Sequence, residues 1–335
     1  MRHLSISAET WPLKNHFTIA RGKRTEINTV TVLLEEDGLA GRGECFPHSR
    51  YSESVESVME QIAALRHSLE AGISRFDLLS EMPAGAARNA VDCALWDLEI
   101  KKARRKDSTI TAWQVAGLAQ APKLTTVMTI SMDAPEVMAS AATKAVTKGY
   151  RNLKIKLGSA DWHDDIRIEK IRAAAPKAVL VVDANEGWTP ETLTKYLPAL
   201  AAAGVAMLEQ PLLVGGDDML ANLKSPIPIG ADESCHTRAD LAGLVDKYDV
   251  VNIKLDKAGG LTEALATARQ AREMGFEVMV GCMLGTSLAT APATLVASLA
   301  SYVDLDGPLW LVGDREHPLS FAYGAMSAVH PKLWG

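Results

Sequence analysis

From about Thr125 onward the sequence alternates between short apolar stretches rich in β-branched residues and longer Ala-rich stretches with helical spacing, at intervals of roughly 20–30 residues. Strands are expected near residues 126–131, 152–157, 179–184, 205–210, 227–232, 250–255, 277–282 and 301–305. A chain that alternates in this way lays its strands parallel and its helices outside them. That leaves a closed (β/α) barrel or an open doubly wound sheet. No Gly-rich dinucleotide loop comes after any of these strands, which favours the barrel. Asp133-Ala-Pro-Glu and Thr189-Pro-Glu each set a capping side chain before a proline at a helix start. Lys148-Gly149, Ala203-Gly204 and Met274-Gly275 mark helix ends.

The first hundred or so residues obey a different rule. Thr29 to Glu36 is strand-like and runs into Asp37-Gly38, a hairpin signal, with a second short strand after it at about 40–46. A helix with Ser52 and Glu56 at its start is expected to reach about Leu69, and another spans Ala84 to Lys102. The basic run 101–106 then reads as that helix's solvated end. Strands first and helices after them describe a small α+β domain. The fold class is therefore α/β: a (β/α)8 TIM-type barrel at 111–310, an α+β domain at 1–110, and a tail at 311–335 that packs back on either.

A barrel presents its chemistry at the C-terminal ends of its strands. Read strand by strand, those ends carry Lys154 and Lys156, then Asp183, Glu209 and Asp232, then Lys254, and finally Asp304 and Asp306. Each acid alone could be a helix cap, a surface ion pair or a turn. Three successive strands ending in a carboxylate make a site for Mg²⁺, a hard cation that takes carboxylates, water and substrate oxygens. Gln and Asn neighbours are weaker ligands and are expected behind the acids. The second and sixth strands face each other across an eight-strand ring, so Lys156 and Lys254 would flank a substrate beside the metal. Such a pair can take a proton from one face of a carbon and return it to the other. A lysine of ordinary pKa, about 10.4, is too protonated to act as a base near neutrality. A divalent cation and the ammonium of Lys154 would lower it. Loss of the α-proton of a carboxylate gives an enediolate, which the metal and Lys154 would stabilise.

Lys154-Ile-Lys156, the Asp183/Glu209/Asp232 series and Asn252-Ile-Lys-Leu-Asp-Lys257 resemble the muconate-lactonizing subgroup of the enolase superfamily, across essentially the whole chain. The resemblance implies a capping domain before a modified (β/α)7β barrel, Mg²⁺ as cofactor, and proton abstraction next to a carboxylate. Asp304-Leu-Asp306 resembles the D-x-D of the dipeptide epimerases, where the acids hold the α-ammonium of the dipeptide. An acid pair on the far side of the mouth from Lys154 calls for a substrate with a cationic end. The stretches Ile19–Arg24, Ala84–Ala90, Gly230–Arg238 and Gly281–Leu284 are similar to the same enzymes. The resemblance implies that Arg24, in a capping-domain loop, binds the side-chain carboxylate of a glutamyl residue. It also implies that Thr129, with Ser131 beside it, contacts the substrate, that Cys282 and Leu284 line it through backbone contacts, and that Asp256 orients Lys254.

The expected reaction is thus Mg²⁺-dependent epimerisation of L-Ala-D-Glu and related dipeptides, in the setting of murein peptide recycling. N-acylamino acid racemase or o-succinylbenzoate synthase chemistry on the same scaffold is the alternative, and a non-catalytic peptide binder the remote one. A net charge of −6 without a basic stripe argues against nucleic acid, and no apolar run approaches the eighteen or so residues of a membrane span. The N-terminal stretch lacks a charged region leading into an apolar one, so no signal peptide is expected. The four scattered cysteines fit reduced thiols of a cytoplasmic protein. The expected partner is a small dipeptide; the oligomeric state, a homo-oligomer included, stays open.

Overall fold

The computed structural model describes residues 2–121, 123–161 and 163–335. Eight parallel strands form one sheet: β4 (Met128–Ile130), β5 (Asn152–Lys156), β6 (Val179–Asp183), β7 (Val205–Glu209), β8 (Ile229–Ala231), β9 (Val250–Lys254), β10 (Glu277–Gly281) and β11 (Tyr302–Asp304). They succeed one another in chain order around the ring. The ring closes where the Val127 N–H donates to the Val303 carbonyl at 3.0 Å. Every strand lies within the span expected from the alternation.

Side-chain alternation divides the barrel into two apolar layers. Leu153, Ile155, Leu180, Val182, Val251, Ile253, Val278 and Val280 face outward into the main core under the helices. Val181, Met207, Val250 and Met279 form a small plug inside the ring. The inward positions above that plug are polar, and they are the ends of the strands. Gly281 keeps this level passable. A Cβ there would lie 2.6 Å from Asn252 Oδ1 and 3.0 Å from Lys254 Cε.

The N-terminal part is an antiparallel sheet of β1 (His3–Ile19), β2 (Gly22–Glu36) and β3 (Leu39–Cys45). Helices α1 (Val55–Ala64) and α2 (Ala86–Lys106) cover it, burying Leu4, Val30, Val32 and Leu34 against Val58, Ile62, Ala90, Val91 and Leu98. A side chain on Gly43 would overlap the Ala90 carbonyl, so α2 lies directly on β3. The strand β1 has no expected counterpart. Its composition mixes polar and apolar residues without a clean alternation, and most of its length is exposed. Its register with β2 shifts between Pro12 and Phe17, a bulge beyond which the hairpin runs on over the barrel.

Several local expectations differ from the structure. Helix α1 is capped by Ser54 in a reciprocal box with Ser57, whereas Ser52 is left-handed and lies outside it. Chain 66–71 forms a separate short helix. Helix α2 extends to Lys106, so the basic run forms its last turns and the helix does not stop at Lys102. The helix at Pro135–Thr147 is capped by no side chain, because Asp133 turns its carboxylate to the Ala134 N–H instead. Thr189 does cap its helix, accepting from Thr192 N–H.

The end of the chain joins the two parts. Trp334 Nε1 donates to the Cys93 carbonyl at 3.0 Å, and the Gly335 N–H donates to Asp97 Oδ1 at 2.6 Å. Arg315 bonds Glu9, Thr31, Glu44 and Thr286 at once. Among the described residues no helix is long and apolar enough to cross a membrane.

Candidate active site

A cavity of about 420 Å³ opens at the C-terminal ends of the barrel strands. Its floor comes from the barrel, including Lys154, Lys156, Asp232, Lys254, Asp304 and Asp306. Its roof comes from the β1–β2 hairpin and the segment after β3, including Phe17, Arg24, His48 and Tyr51.

The floor is a set of interlocked charges. Lys154 Nζ lies 2.7 Å from Asp304 Oδ2, 2.7 Å from Glu209 Oε2 and 3.2 Å from Asp183 Oδ2. Lys156 Nζ donates to Asp183 Oδ2 and Lys254 Nζ to Asp232 Oδ2, each at 2.6 Å. The two lysines stand on β5 and β9, four strands apart in the ring, each at one end of the arc of three acids. Both border the cavity between them.

Asp183, Glu209 and Asp232 are fully buried, and each offers an oxygen within 4.8 Å of the others'. Three inward carboxylates in that span suit a hard divalent cation such as Mg²⁺. Glu209 Oε2 gives the clearest sign of fit. It is buried without a hydrogen-bond donor, since Lys154 Nζ lies close to it but outside hydrogen-bonding geometry. Burial and the neighbouring Asp183 push the Glu209 carboxyl up to about 7, with Lys154 only partly offsetting them. Asp183 and Asp232, despite burial, are held well below the usual carboxylate range by Lys156 and Lys154, and by Lys254 and Lys257, respectively.

Burial alone would lower the lysines. The carboxylates of Asp304, Glu209 and Asp183 outweigh it at Lys154, and that of Asp232 at Lys254, so both stand above the ordinary lysine range. At Lys254 the lowering by the ammonium of Lys154 is outweighed in the protein alone by the carboxylates of Asp232 and Glu209.

Two expected placements change. Asp304 is not across the mouth from Lys154 but in contact with it. Ring closure makes β11 the neighbour of β4, only two strands from β5. Asp306 sits alongside, where its Oδ2 accepts the Thr129 N–H at 2.7 Å, and burial with Asp304 nearby pushes it up to about 6. Asp304 Oδ2 is taken by Lys154, and among the described residues no donor reaches its Oδ1. Asp256, expected on Lys254, instead accepts from Asn89 Nδ2 at 2.8 Å and from the Phe46 N–H at 3.1 Å. Strand β9 gives way at once to a helical turn, Leu255–Ala258, which swings Asp256 outward to α2 and the cap. Burial holds its carboxyl at about 7.

The same turn brings in a residue that the spacing of strands does not reveal. Lys257, 1% exposed, donates to Asp232 Oδ1 at 2.6 Å and to the carbonyls of Asp232 and Asn252. Asn252 Nδ2 holds Glu209 Oε1 at 2.7 Å, and Gln210 Oε1 accepts the N–H groups of Asp232 and Ser234. These groups fix the acids in place. Inward position on β9 is the signal for Asn252; Lys257 is marked by the Asn252–Lys257 motif but not by strand spacing.

The roof is held by a second charge cluster. Arg21, at the hairpin tip, donates to the Asn185 carbonyl at 2.8 Å, to Glu186 at 3.0 Å and to Glu233 at 2.6 Å. Arg50 forks onto Glu186 at 2.8 and 2.9 Å. Asn185 and Glu186, just beyond the buried Asp183, are both left-handed without being glycine, a strained turn of the kind kept where position matters. Arg24 belongs to this region too, within β2 at the hairpin end rather than in a loop, paired with Phe17. It lies 5.3 Å over the Phe46 ring. Among the described residues no carboxylate or carbonyl bonds it. Thr129, Cys282 and Leu284 border the cavity, and Ser131 does not: its hydroxyl is bonded to the Thr18 backbone.

Residues 1–111 match the family model for the mandelate racemase/muconate lactonizing enzyme N-terminal domain, and residues 137–327 the enolase C-terminal domain-like model. The L-Ala-D/L-Glu epimerase of Escherichia coli is 47% identical, over 97% of this chain and 99% of its own. An N-acetyl-D-glutamate racemase from a Pseudoalteromonas species is 43% identical over 91% and 95%. An enolase family member of Agrobacterium tumefaciens with homology to dipeptide epimerases, solved with sodium and L-Ala-L-Glu and an ordered loop, superposes with a TM-score of 0.94 over 100% of both chains at 46% identity. A dipeptide epimerase of Cytophaga hutchinsonii, solved with Mg and D-Ala-L-Val, gives 0.90 at 28% identity over 98% and 93%.

Proposed function

The chain belongs to the mandelate racemase/muconate lactonizing enzyme family of the enolase superfamily, and from that premise we propose that it interconverts L-Ala-D-Glu and L-Ala-L-Glu with Mg²⁺ as cofactor. The observation that carries this reading is the opposition of Lys156 and Lys254 across one cavity, each bonded to the acid at its own end of a three-carboxylate arc.

Asp183, Glu209 and Asp232 would hold the cation. Bound there, Mg²⁺ would supply a Lewis acid for the substrate carboxylate and would take up negative charge that otherwise holds Lys254 above the ordinary lysine range. The rest is done by the chain. One of Lys156 and Lys254 takes the α-proton from its face of the carbon, and the other delivers a proton to the opposite face; the reverse reaction exchanges the roles. Asp183 and Asp232 fix the two amines and stabilise whichever holds the proton. Lys154, buried and kept cationic, faces the carboxylate as its negative charge grows.

Asp304, through its unbonded Oδ1, and Asp306 receive the α-ammonium of the dipeptide. Thr129, Cys282 and Leu284 border the alanyl side. Arg24 binds the glutamyl side-chain carboxylate. A half-buried guanidinium without a protein acceptor is an anion site awaiting an anion. Asp256 acts on the cap rather than on Lys254. Residues 1–110 serve as the cap, 111–310 as the barrel and 311–335 as the segment tying them together. We also read the enzyme as cytoplasmic, in keeping with its four free cysteines, as compatible with homo-oligomers, and as acting in murein peptide recycling.

A second reading, racemisation of an N-acylglutamate, is favoured by the 43% identical relative and by the Lys154–Asp304 ion pair, which leaves the site less dependent on a cationic ligand. L-Ala-L-Glu and N-acetyl-L-glutamate incubated separately with the Mg²⁺-loaded enzyme in deuterated water separate the two. Mass gain at the α-carbon of the dipeptide alone supports the first reading; gain only with the N-acyl substrate overturns it.

A further inference from the structure

Three features of the roof bear on His48. Its Nδ1 accepts the Arg50 N–H at 3.0 Å, as the cap of a short helical turn. Its ring is wedged between Phe46, with centroids 5.7 Å apart, and Tyr51, 5.5 Å apart. It borders the same cavity as Arg24.

An imidazole that accepts at Nδ1 carries its hydrogen on Nε2. The ring also stays neutral. Burial first, then the charges of Arg24, Arg21 and Lys254, lower it to about 4. Its Nε2–H is therefore a neutral donor in a fixed orientation, and among the described residues no acceptor meets it. Arg24, close enough to oppose a charge on the ring, likewise has no acceptor. Two donors without a protein partner, one cationic and one neutral, pack against the same Phe46 ring on the same cavity and match the two oxygens of a carboxylate. A second cation in place of the imidazole would repel Arg24; a neutral donor does not.

We propose that His48 is a specificity-determining residue, its Nε2–H donating to the side-chain carboxylate of the substrate beside Arg24. This assignment rests on the glutamyl reading above and names a second contact within it. A site that gives a hydrogen bond to a group discriminates against ligands lacking that group, because the donor is then left unpaired. The imidazole also ties selectivity to the cap segment 46–51, whose shape the Arg50–Glu186 pair maintains.

The test compares L-Ala-L-Glu with the near-isosteric L-Ala-L-Met in the wild type, His48→Phe and His48→Gln, all loaded with Mg²⁺. His48→Phe keeps the ring packing and removes the donor; His48→Gln restores an N–H. The expected result for His48→Phe is a fall in kcat/KM of roughly tenfold for L-Ala-L-Glu, carried by KM, with less than about threefold for L-Ala-L-Met. His48→Gln should recover most of the difference. An equal loss on both dipeptides, or none on either, overturns the assignment while leaving the parent reading intact. A wild type that exchanges the α-hydrogen of L-Ala-L-Met but not of L-Ala-L-Glu overturns the glutamyl reading and the assignment with it.

Discussion

The floor and the roof of the cavity both hold clustered charge, yet they are built on different terms. On the floor the groups project from strand ends or just beyond them, are almost fully buried, and are bonded to partners on other strands of the ring. Lys154 is 1% exposed and touches three carboxylates. On the roof Arg21 and Arg50 are about a third exposed, come from a hairpin tip and a short helical turn, and among the described residues bond the barrel through Glu186, Glu233 and the Asn185 carbonyl. Buried partners cannot be removed singly without leaving an uncompensated charge. Exposed ones are screened and individually weak. Chemistry placed on the floor is therefore invariant to the cap's position, while selectivity placed on the roof depends on it.

The contrast can be broken from either side. The largest effect belongs to the floor: Lys156→Ala or Lys254→Ala is expected to lower kcat for epimerisation by roughly 10³-fold or more, since on the proposed reading each would remove a proton-transfer group. Arg24→Met comes next. It should cost about 10²-fold in kcat/KM for L-Ala-L-Glu, read by steady-state kinetics, with little change for L-Ala-L-Met. A comparable loss on both would move Arg24 from the ligand to the frame.

Glu186→Gln is expected to be milder, because it loosens the cap without touching the reacting groups. KM should rise about fivefold with kcat within twofold, as the closed fraction of the enzyme falls. Wild-type KM should climb with added salt and the variant's should not. A loss confined to kcat would contradict this.

The smallest effect separates structure from catalysis at Asp256. Burial raises its carboxyl to about 7 in the folded protein, so between the unfolded value and that pH the folded state holds more protons. Stability contributed by the protonated form is present at low pH and lost as pH rises through about 7. Asp256→Asn, which can still accept from Phe46 N–H, should flatten the decline in thermal stability between about pH 4 and 7 and leave kcat within about twofold. A kcat loss of a hundredfold would restore Asp256 to Lys254.

The same contrast explains what could be read from the sequence. Strand ends obey period two, so Lys154, Lys156, Asp183, Glu209, Asp232 and Lys254 could be placed together from spacing alone. The rule fails once a strand stops. Asp256 and Lys257 lie on a helical turn, and alternation mislocates the one and overlooks the other. Asp304 is correctly found on the last strand, yet its side of the mouth depends on ring closure, which makes it a partner of Lys154 rather than its counterpart. The roof was least legible. Arg21 meets residues 164 and 212 positions away, and His48 becomes a donor only because the Arg50 N–H takes its other nitrogen. No local pattern encodes such contacts.

The central claim, two bases on opposite faces of one carbon, is tested most directly by isotope exchange with single enantiomers. L-Ala-L-Glu and L-Ala-D-Glu are incubated separately in deuterated water with Lys156→Ala and with Lys254→Ala, and the α-hydrogen is tracked by NMR. The expected result is mirror-image behaviour: neither variant epimerises, each exchanges at most one enantiomer, and the two variants choose opposite ones. Full epimerisation by either variant, or exchange of the same enantiomer by both, would contradict the two-base site.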